Sequence, residues 1–599
     1  MTTIETSPMK APAPVGHIAN DTTGMNFWRS DRAFQALLAR YLSPELLDHL
    51  EPYFDALGEL AGGRLDDLAR IADRHPPVLH PRDRFGRDED WIEYDLAYRE
   101  MEKIAYEDFG MHAVSHRAGV LGFGGTLPPS VKFALQYLFA QAEFGLTCPI
   151  SATDTSAYVI QRFGSPALKS HVLPHMLSQD PSTMWKGAQF MTEKAGGSDV
   201  GASETIAEHE GFDANGLDRW KLYGDKWFCS HTDADIVMIL ARPVGAGSGT
   251  KGLGLFAMPR WLPEGGRNSY RIVRLKDKLG TRSMASGELL LDGATAYLVG
   301  DVDRGFAQMM DQVNLCRLSQ GVRAAAMMRR CLNEAMVIAH SRIAFREWLI
   351  DKPLLRRQLL KIMVPTEQAL SMVNYAAHLC DTEDHATLRL LTGLVKFRAC
   401  RDNIKVAAGA LEVRGGNGYI EEFVNARLVR DAQLGTIWEG TSNINALDIV
   451  TRAVQKDKGH EALDAALHGI LDRQPGIPAG FRGELAYYLD KAIEFVVEVA
   501  ADPQCEQECR TAATGLYNAA SAVLLAAEGT DFGEAGADSR RLLLARLVIN
   551  HRLRPSDPLA ARGSSAEDMI HDRLLDESPV SLDDAIALVE AAALANQVG

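Results

Sequence analysis

The most chemically suggestive stretch of this 599-residue chain is Gly435-Thr436-Ile437-Trp438-Glu439-Gly440-Thr441-Ser442-Asn443-Ile444. A carboxylate, Glu439, stands between an aromatic and a small turn rich in hydroxyls and amides, just after the charged run Arg427-Leu428-Val429-Arg430-Asp431. One reading makes Glu439 a catalytic base at the mouth of a helix. The other makes the string a plain helix start, with Thr441 or Ser442 as N-cap and Ile444, Leu447 and Val450 as the buried stripe. Both can hold together, because a loop running into a helix is a frequent place for a reactive group. Two histidine pairs, His112 with His116 and His171 with His175, have helical spacing but lack a third ligand, so no metal site is expected.

The elements that must hold such a site follow from composition and pattern. Hydrophobic residues make up 46% and charged residues 24%, which is ordinary for a soluble protein and ample for several cores. A net charge of -16 argues against a surface built throughout for nucleic acid or anionic membranes. Eight scattered cysteines suit a reducing cytoplasm, where they act as small apolar side chains. Neither a signal peptide nor a membrane span is expected; the run Ala519 to Ala527 reads as a buried helix.

Residues 1–24, rich in Pro and Thr, read as a mobile arm, and 25–183 as an all-helical N-terminal domain with helices over 64–73, 91–109, 128–144 and 151–178. From 184 to 303 short β-rich runs alternate with Gly-rich turns, which predicts a small antiparallel barrel or sandwich. Its loop Gly245 to Gly252 contains Lys251 but no following Ser or Thr, and is read as a hairpin turn rather than a phosphate loop. Residues 304–455 return to long helical periods, over 305–340, 354–381, 385–413 and 441–455, as in a four-helix bundle. A helical tail, 456–599, is expected to break at Pro475 to Gly480 and at Gly529 to Gly536. The fold class is therefore α+β, mainly α.

Three strings in this order carry a resemblance: Gln189 to Asp199, Gly224 to Ser230, and Ile437 to Asn443. Together they resemble the acyl-CoA dehydrogenase family, in its branch with the AidB-type architecture, over about residues 30–455. The resemblance implies FAD as cofactor. It places Gln189, Met191, Thr192, Gly197, Ser198, Phe228 and Ser230 around the flavin ring, where small residues such as Gly196 and Gly197 permit close approach. Ser198 also falls where the family meets the thioester arm of the substrate. Arg342 and Phe345 match positions reaching the FAD of a neighbouring subunit, and Glu412, Gly415 and Gly416 match the turn completing that cross-subunit site. Glu412 stands where many members have Gln. Trp438, Thr441 and Asn443 are further implied cofactor contacts, and Trp438 also narrows the acyl pocket or simply packs. Arg317, Glu439 and Gly440 are implied beside the substrate.

The implied reaction oxidises an acyl-CoA thioester to its α,β-unsaturated product, with Glu439 taking the α proton and the flavin the β hydride. Some members carry the base on the first bundle helix; the matching position here is Cys316, so Glu439 has no visible rival. Burial is expected to raise its pKa. A homotetramer and an acceptor such as electron-transfer flavoprotein also follow from the resemblance. Two alternatives remain: a DNA-associated flavoprotein of the AidB type with weak dehydrogenase activity, and a flavin oxidase of the nitroalkane type. DNA is disfavoured because Thr451 to Gly599 holds 14 Lys and Arg against 24 Asp and Glu. One basic island, Arg540, Arg541, Arg546, Arg552, Arg554 and Arg562, is read as a solvated or subunit-facing helix surface.

Overall fold

A computed structural model describes residues 18–555, 559 and 565–595. Most of the expected arm, residues 1–17, and Arg562 lie outside them. The N-terminal helices start where the capping chemistry predicts. Asp31 accepts from Phe34 N–H at the head of α1 (Arg32–Tyr41), and Ser43 caps α2 (Pro44–Ala61) with Pro44 in its first turn. α3 (Arg64–Arg74) follows.

The N-terminal region is not all-helical. β1 (Val78–Arg82) and β2 (Asp88–Glu93) pair as an antiparallel hairpin, so the helix expected over 91–109 begins only at α4 (Leu96–Glu102), continued by a π turn over Lys103–Asp108. Alternation in β2 buries Asp90 and Ile92. Asp90 accepts from Arg267 Nη2 at 2.6 Å and from Ile272 N–H at 2.8 Å, which ties the hairpin to the β domain. α5 (Pro129–Ala140), α6 (Thr147–Phe163) and α7 (Pro166–Met176) complete this part.

The β domain has seven strands: β3 (Gly187–Phe190), β4 (Ile206–Phe212), β5 (Asp218–Ser230), β6 (Ile236–Pro243), β7 (Gly254–Pro259), β8 (Tyr270–Leu275) and β9 (Ser286–Leu298). The order β3-β6-β4-β5-β9-β7 closes on itself because β6 also pairs with β7. It is the expected barrel with two parallel contacts, β3 with β6 and β4 with β6. The loop Gly245 to Gly252 does connect the antiparallel pair β6 and β7.

The bundle is built from α8 (Gly305–Ser341), α9 (Pro353–Asp381), α10 (His385–Arg414), α11 (Val424–Ala432) and α12 (Ser442–Leu447), the last extended by a π turn over Asp448–Val454. A two-residue-strand hairpin, β10 (Ile343–Ala344) and β11 (Glu347–Trp348), links α8 to α9. The tail adds α13 (Gly459–Asp472), α14 (Ala479–Ala501), α15 (Cys509–Glu534), α16 (Arg540–Val548), α17 (Ser565–Leu575) and α18 (Leu582–Ala595).

The tail break expected at Gly529 to Gly536 falls at the far end of that window: α15 runs through Gly529 and ends at Glu534, with Gly536 at φ +75, and a Cβ at Gly529 would meet Leu542 N at 2.2 Å, so that glycine lets α16 approach. One tail expectation is corrected. The basic island is largely paired within the chain rather than a solvated or subunit-facing surface, with Arg552 alone among its described members exposed. Arg541, 2% exposed, binds Glu367, Glu528 (2.8 Å) and Ser371 (2.6 Å), and Arg546 and Arg554 both pair with Glu484. Glu367 in turn binds Arg329, which binds Asp31 at 2.9 Å, so one buried chain of charge runs from the tail through the bundle to the first helix.

Candidate functional site

The first two strings of the β domain are locked to each other by a buried ion pair. Lys226 Nζ donates to Glu193 at 2.6 Å and to the Leu240 carbonyl at 3.0 Å, while Glu193 also accepts from Thr205 Oγ1 at 2.6 Å. Nearby, Trp227 N–H donates to the Thr192 carbonyl at 2.8 Å and Lys194 bonds Asp225 at 2.7 Å. This holds Met191 and Thr192 beside Phe228 and Ser230. Gly196 has φ +125, and a Cβ at Gly197 would lie 2.6 Å from Thr192 Oγ1, so the turn tolerates only a bare backbone there. Gly197 and Ser198 are exposed, as is Phe228 at 56%. An apolar ring standing in solvent beside glycine backbone and hydroxyls is a platform for a planar ligand.

Glu439 lies in a strained turn. It has φ +50 and the next residue, Gly440, φ +101; a non-glycine residue in that region costs about 1–3 kcal/mol unless its surroundings enforce it. Three buried donors do so. Lys396 Nζ donates to the Gly435 and Gly440 carbonyls (2.7 and 3.3 Å), Asn445 Nδ2 to the Gly440 and Thr441 carbonyls (2.6 and 2.9 Å), and Arg317 Nε to the Glu439 carbonyl (3.2 Å). Arg317 is fixed in turn by Asp448 at 2.8 Å, which also binds Arg389 at 3.0 Å. Arg317, expected beside the substrate, is thus placed under the backbone of the Glu439 turn.

The carboxylate itself is less constrained. Among the described residues Glu439 Oε2 is enclosed without a hydrogen-bond partner. Burial pushes its pKa above the ordinary value, opposed by the cations Arg323 and Lys396, by Gln320 and by Arg317. Around it lie Cys148 and Cys316, whose thiols are pushed up to about 11 and about 12, chiefly by burial and partly by the Glu439 charge. Cys316 sits 3.3 Å from Thr155 Oγ1 and 3.9 Å from Gln189 Oε1, so α6, α8, β3 and the Glu439 turn converge. Trp438 stacks on Phe144 with centroids 6.4 Å apart, and the Arg323 guanidinium lies 5.5 and 5.8 Å from Phe144 and Trp438 respectively.

The remaining strings lie apart from this core. Arg342 is exposed at the end of α8, and a Cβ at Gly415, which has φ +73, would lie 3.9 Å from Arg342 Nη1, so Arg342 and the Gly415-Gly416 turn are neighbours. Phe345 is 91% exposed on the β10–β11 hairpin, with positive φ at both Phe345 and Arg346. Glu412 accepts from Gln358 Nε2 at 2.9 Å, so a nearby amide is present even though position 412 is acidic. Thr441 is the N-cap of α12 without a side-chain capping bond, which leaves its hydroxyl free of that role. Ser442 accepts from Arg401 at 3.2 Å and Asn443 from the tail's Arg510 at 3.3 Å.

Sequence reading missed Arg323, Lys396, Gln320, Cys148, Arg401 and Arg510 as neighbours of the site. Nothing in the sequence marked Arg323 or Lys396 out, because their helices carry other charges, among them Arg329, Arg330 and Glu334 on α8 and Arg398, Arg401 and Asp402 on α10. The histidines are engaged locally: His112 bonds the Ser178 carbonyl, His116 bonds Asp154 and Gln161, and His175 stacks on Trp185 with His171 edge-on to the same ring.

A barrel between an N-terminal helical domain and a helical bundle, with a carboxylate turn on the bundle facing the barrel, is the architecture of a known enzyme family. Residues 18–181 match the AidB N-terminal domain, 188–294 the acyl-CoA dehydrogenase middle domain and 303–455 its C-terminal domain. The chain belongs to the acyl-CoA dehydrogenase family. It is 30% identical over 441 residues to acyl-CoA dehydrogenase family member 11 of Caenorhabditis elegans, covering 71% of this chain and 70% of that one. It is 31% identical over 407 residues to the Escherichia coli protein named as a putative acyl-CoA dehydrogenase AidB, covering 66% and 72%. The solved structure of Caenorhabditis elegans ACDH-11 in complex with C11-CoA superposes with a TM-score of 0.82 at 25% identity, covering 93% of this chain and 96% of that one. Among the described residues no helix is long and apolar enough to cross a membrane.

Proposed function

We propose that the protein is an FAD-dependent dehydrogenase of acyl-CoA thioesters with Glu439 as the base, on a chain divided as 25–183, 184–303, 304–455 and 456–599. The observation that carries this reading is the enclosed Oε2 of Glu439, an unpartnered carboxylate oxygen held by a strained, triply tethered turn toward the barrel. Asp90 and Glu528 each carry one enclosed, unpaired oxygen too, but their other oxygen is held by a guanidinium, whereas among the described residues no ion pair holds Glu439.

The residues present fit FAD. The bare backbone at Gly196 and Gly197 and the exposed Phe228 suit a flavin edge with Gln189, Met191, Thr192, Ser198 and Ser230 around it. Trp438, Thr441 and Asn443, with the cations Arg401 and Arg510 beside Ser442 and Asn443, suit its anionic linker. When bound, FAD supplies a two-electron acceptor for the hydride leaving the β carbon. Glu439 Oε2 accepts the α proton. Its raised pKa makes that oxygen more basic than an exposed carboxylate, while Arg323 and Lys396 keep it ionised enough to act. Arg317, Lys396 and Asn445 hold the turn so that the oxygen does not retreat. The ring pair Trp438 and Phe144 excludes water from one side. Gly440 provides backbone space beside the thioester.

Arg342, Phe345, Glu412, Gly415 and Gly416 form an exposed outer patch suited to the dinucleotide of a second copy, which makes a homotetramer the working assembly. An electron-transfer flavoprotein is the proposed reoxidant, in the cytoplasm. The deep pairing of Arg541 and Arg546 leaves the tail little free basic surface for DNA.

Anaerobic titration of the yellow holoprotein tests the assignment, with acyl-CoAs of graded length, a nitroalkane and duplex DNA as separate arms. Bleaching by thioesters is expected. Bleaching by the nitroalkane alone, or salt-sensitive DNA binding with no bleaching, replaces the reading with an oxidase or a DNA-associated protein.

A further inference from the structure

Arg323, one of the cations acting on the Glu439 charge, is buried with hydrogen-bonding capacity that the fold does not use up. It is 1% exposed, its Nε is spent on the Ser319 carbonyl at 3.3 Å, and among the described residues its Nη1 is enclosed with no hydrogen-bond partner. An unpaired buried guanidinium is costly, and it cannot shed its proton. On α8 it follows Cys316 and Gln320 at the i+7 and i+3 positions, so the three share one helix face. At 1.5 Å per residue Arg323 lies about 10 Å further along the axis than Cys316. Cys316 and Gln320 lie near the Glu439 carboxylate; Arg323 lies one helical step beyond Gln320, 5.5 and 5.8 Å from the rings of Phe144 and Trp438 and close to Cys148.

The charge balance changes during turnover. Lys396 is held by two carbonyls, and Arg317 and Arg389 share Asp448, so Glu439 is the carboxylate left to offset Arg323. Once Glu439 accepts the α proton, that offset is gone, and an all-carbon acyl tail brings nothing to replace it. A carboxylate on the tail would.

Resting on the acyl-CoA reading above, we propose that Arg323 anchors a carboxylate at the far end of the acyl chain, so that the preferred substrates are CoA monothioesters of dicarboxylic acids. The charge-assisted bond discriminates against the equally long unsubstituted chain and places the α carbon at Glu439.

Matched pairs test this in the FAD-loaded protein: pentanoyl- and glutaryl-CoA, hexanoyl- and adipoyl-CoA, octanoyl- and suberoyl-CoA. The expected result is that, at the length bleached best, the carboxylated member half-saturates at a concentration lower by about tenfold or more, the size of one charge-assisted hydrogen bond. Arg323→Met is expected to reverse the order and Arg323→Lys to restore part of it. Calorimetric binding of the same pairs to the Glu439→Gln protein should show the same preference without turnover. If unsubstituted thioesters bleach the flavin as well as or better than their carboxylated partners, the inference is overturned while the dehydrogenase reading stands; the wild-type comparison decides this even if Arg323→Met does not fold. If no thioester of either kind binds or bleaches, both fall.

Discussion

Two buried clusters of charge sit on the bundle, and they are finished to different degrees. At the tail junction Arg541, Glu367, Glu528, Arg329 and Asp31 form a closed chain in which each named carboxylate meets a guanidinium. At the Glu439 turn the backbone is equally well tied, yet Glu439 Oε2 and Arg323 Nη1 are enclosed without partners among the described residues. The same side-chain types thus do two kinds of work. Glu528 keeps one enclosed oxygen unpaired as well, but its other oxygen is held by Arg541, so ion pairs fix the position of the domain there, whereas at the Glu439 turn a carboxylate and a cation outside any such pair are left directed at whatever enters.

The largest expected difference between the clusters lies in what a neutral isostere does. Glu439→Gln should lower the rate of flavin reduction by about 10²–10⁴, the usual worth of a positioned base, with FAD content and melting temperature nearly unchanged. Glu367→Gln at the junction should do the reverse. Removing one partner of a buried pair costs about 3–5 kcal/mol, read as a clear drop in chemical-denaturation midpoint, with the surviving folded protein still reduced at a near-normal rate. If Glu367→Gln instead abolished flavin reduction at full stability, the two clusters would not be separable.

Between them stands Arg317, which touches the Glu439 backbone rather than its carboxylate. Arg317→Gln should slow flavin reduction by about ten- to a hundredfold through misplacement of the turn, while keeping bound FAD. Unchanged rates would show that Lys396 and Asn445 suffice.

The smaller effects are in pH. Because Glu439 must be ionised to act and burial raises its pKa, the rate of reduction should rise with pH through a midpoint above the ordinary carboxylate range. Arg323→Met, removing an opposing cation, should move that midpoint further up. A separate slope comes from Asp431, buried near Asp73 and Glu143 and pushed up to about 7, chiefly by burial. Its folded pKa exceeds its unfolded one, so the folded state binds the extra proton between about pH 4 and 7 and loses stability as pH rises through that window. Asp431→Asn should flatten the melting temperature over the same range; an unchanged slope would show that Asp431 is not its source.

Much of this was legible beforehand, for identifiable reasons. The long bundle helices announce themselves because their apolar period is sustained for many turns, and the Glu439 turn because Gly, Thr and Asn crowd around one acid. The β1–β2 hairpin was hidden because half of residues 78–93 are charged and only Asp90 and Ile92 of β2 point inward. β4, Ile-Ala-Glu-His-Glu-Gly-Phe, buries little beyond Ala207 and has weak strand chemistry. In strand β5 Gly224, at φ +143 against Thr205, interrupts the alternation that would mark one long strand. The tail's basic island misled because Arg541 and Arg546 find their acids at Glu367, Glu528 and Glu484, contacts that only the folded chain brings together. Arg323 was invisible for a similar reason: its ring neighbours Phe144 and Trp438 lie on separate elements.

Everything proposed for the site depends on Glu439 removing the α proton of an acyl thioester. Anaerobic rapid mixing of the FAD-loaded protein with its best acyl-CoA, in unlabelled and α,α-dideuterated forms, tests that step alone. Fast bleaching with a primary isotope effect is expected in the wild type. Glu439→Gln protein that still holds FAD and still binds the thioester should show near-complete loss of bleaching. Bleaching of the Glu439→Gln protein at the wild-type rate would mean that some other group takes the proton.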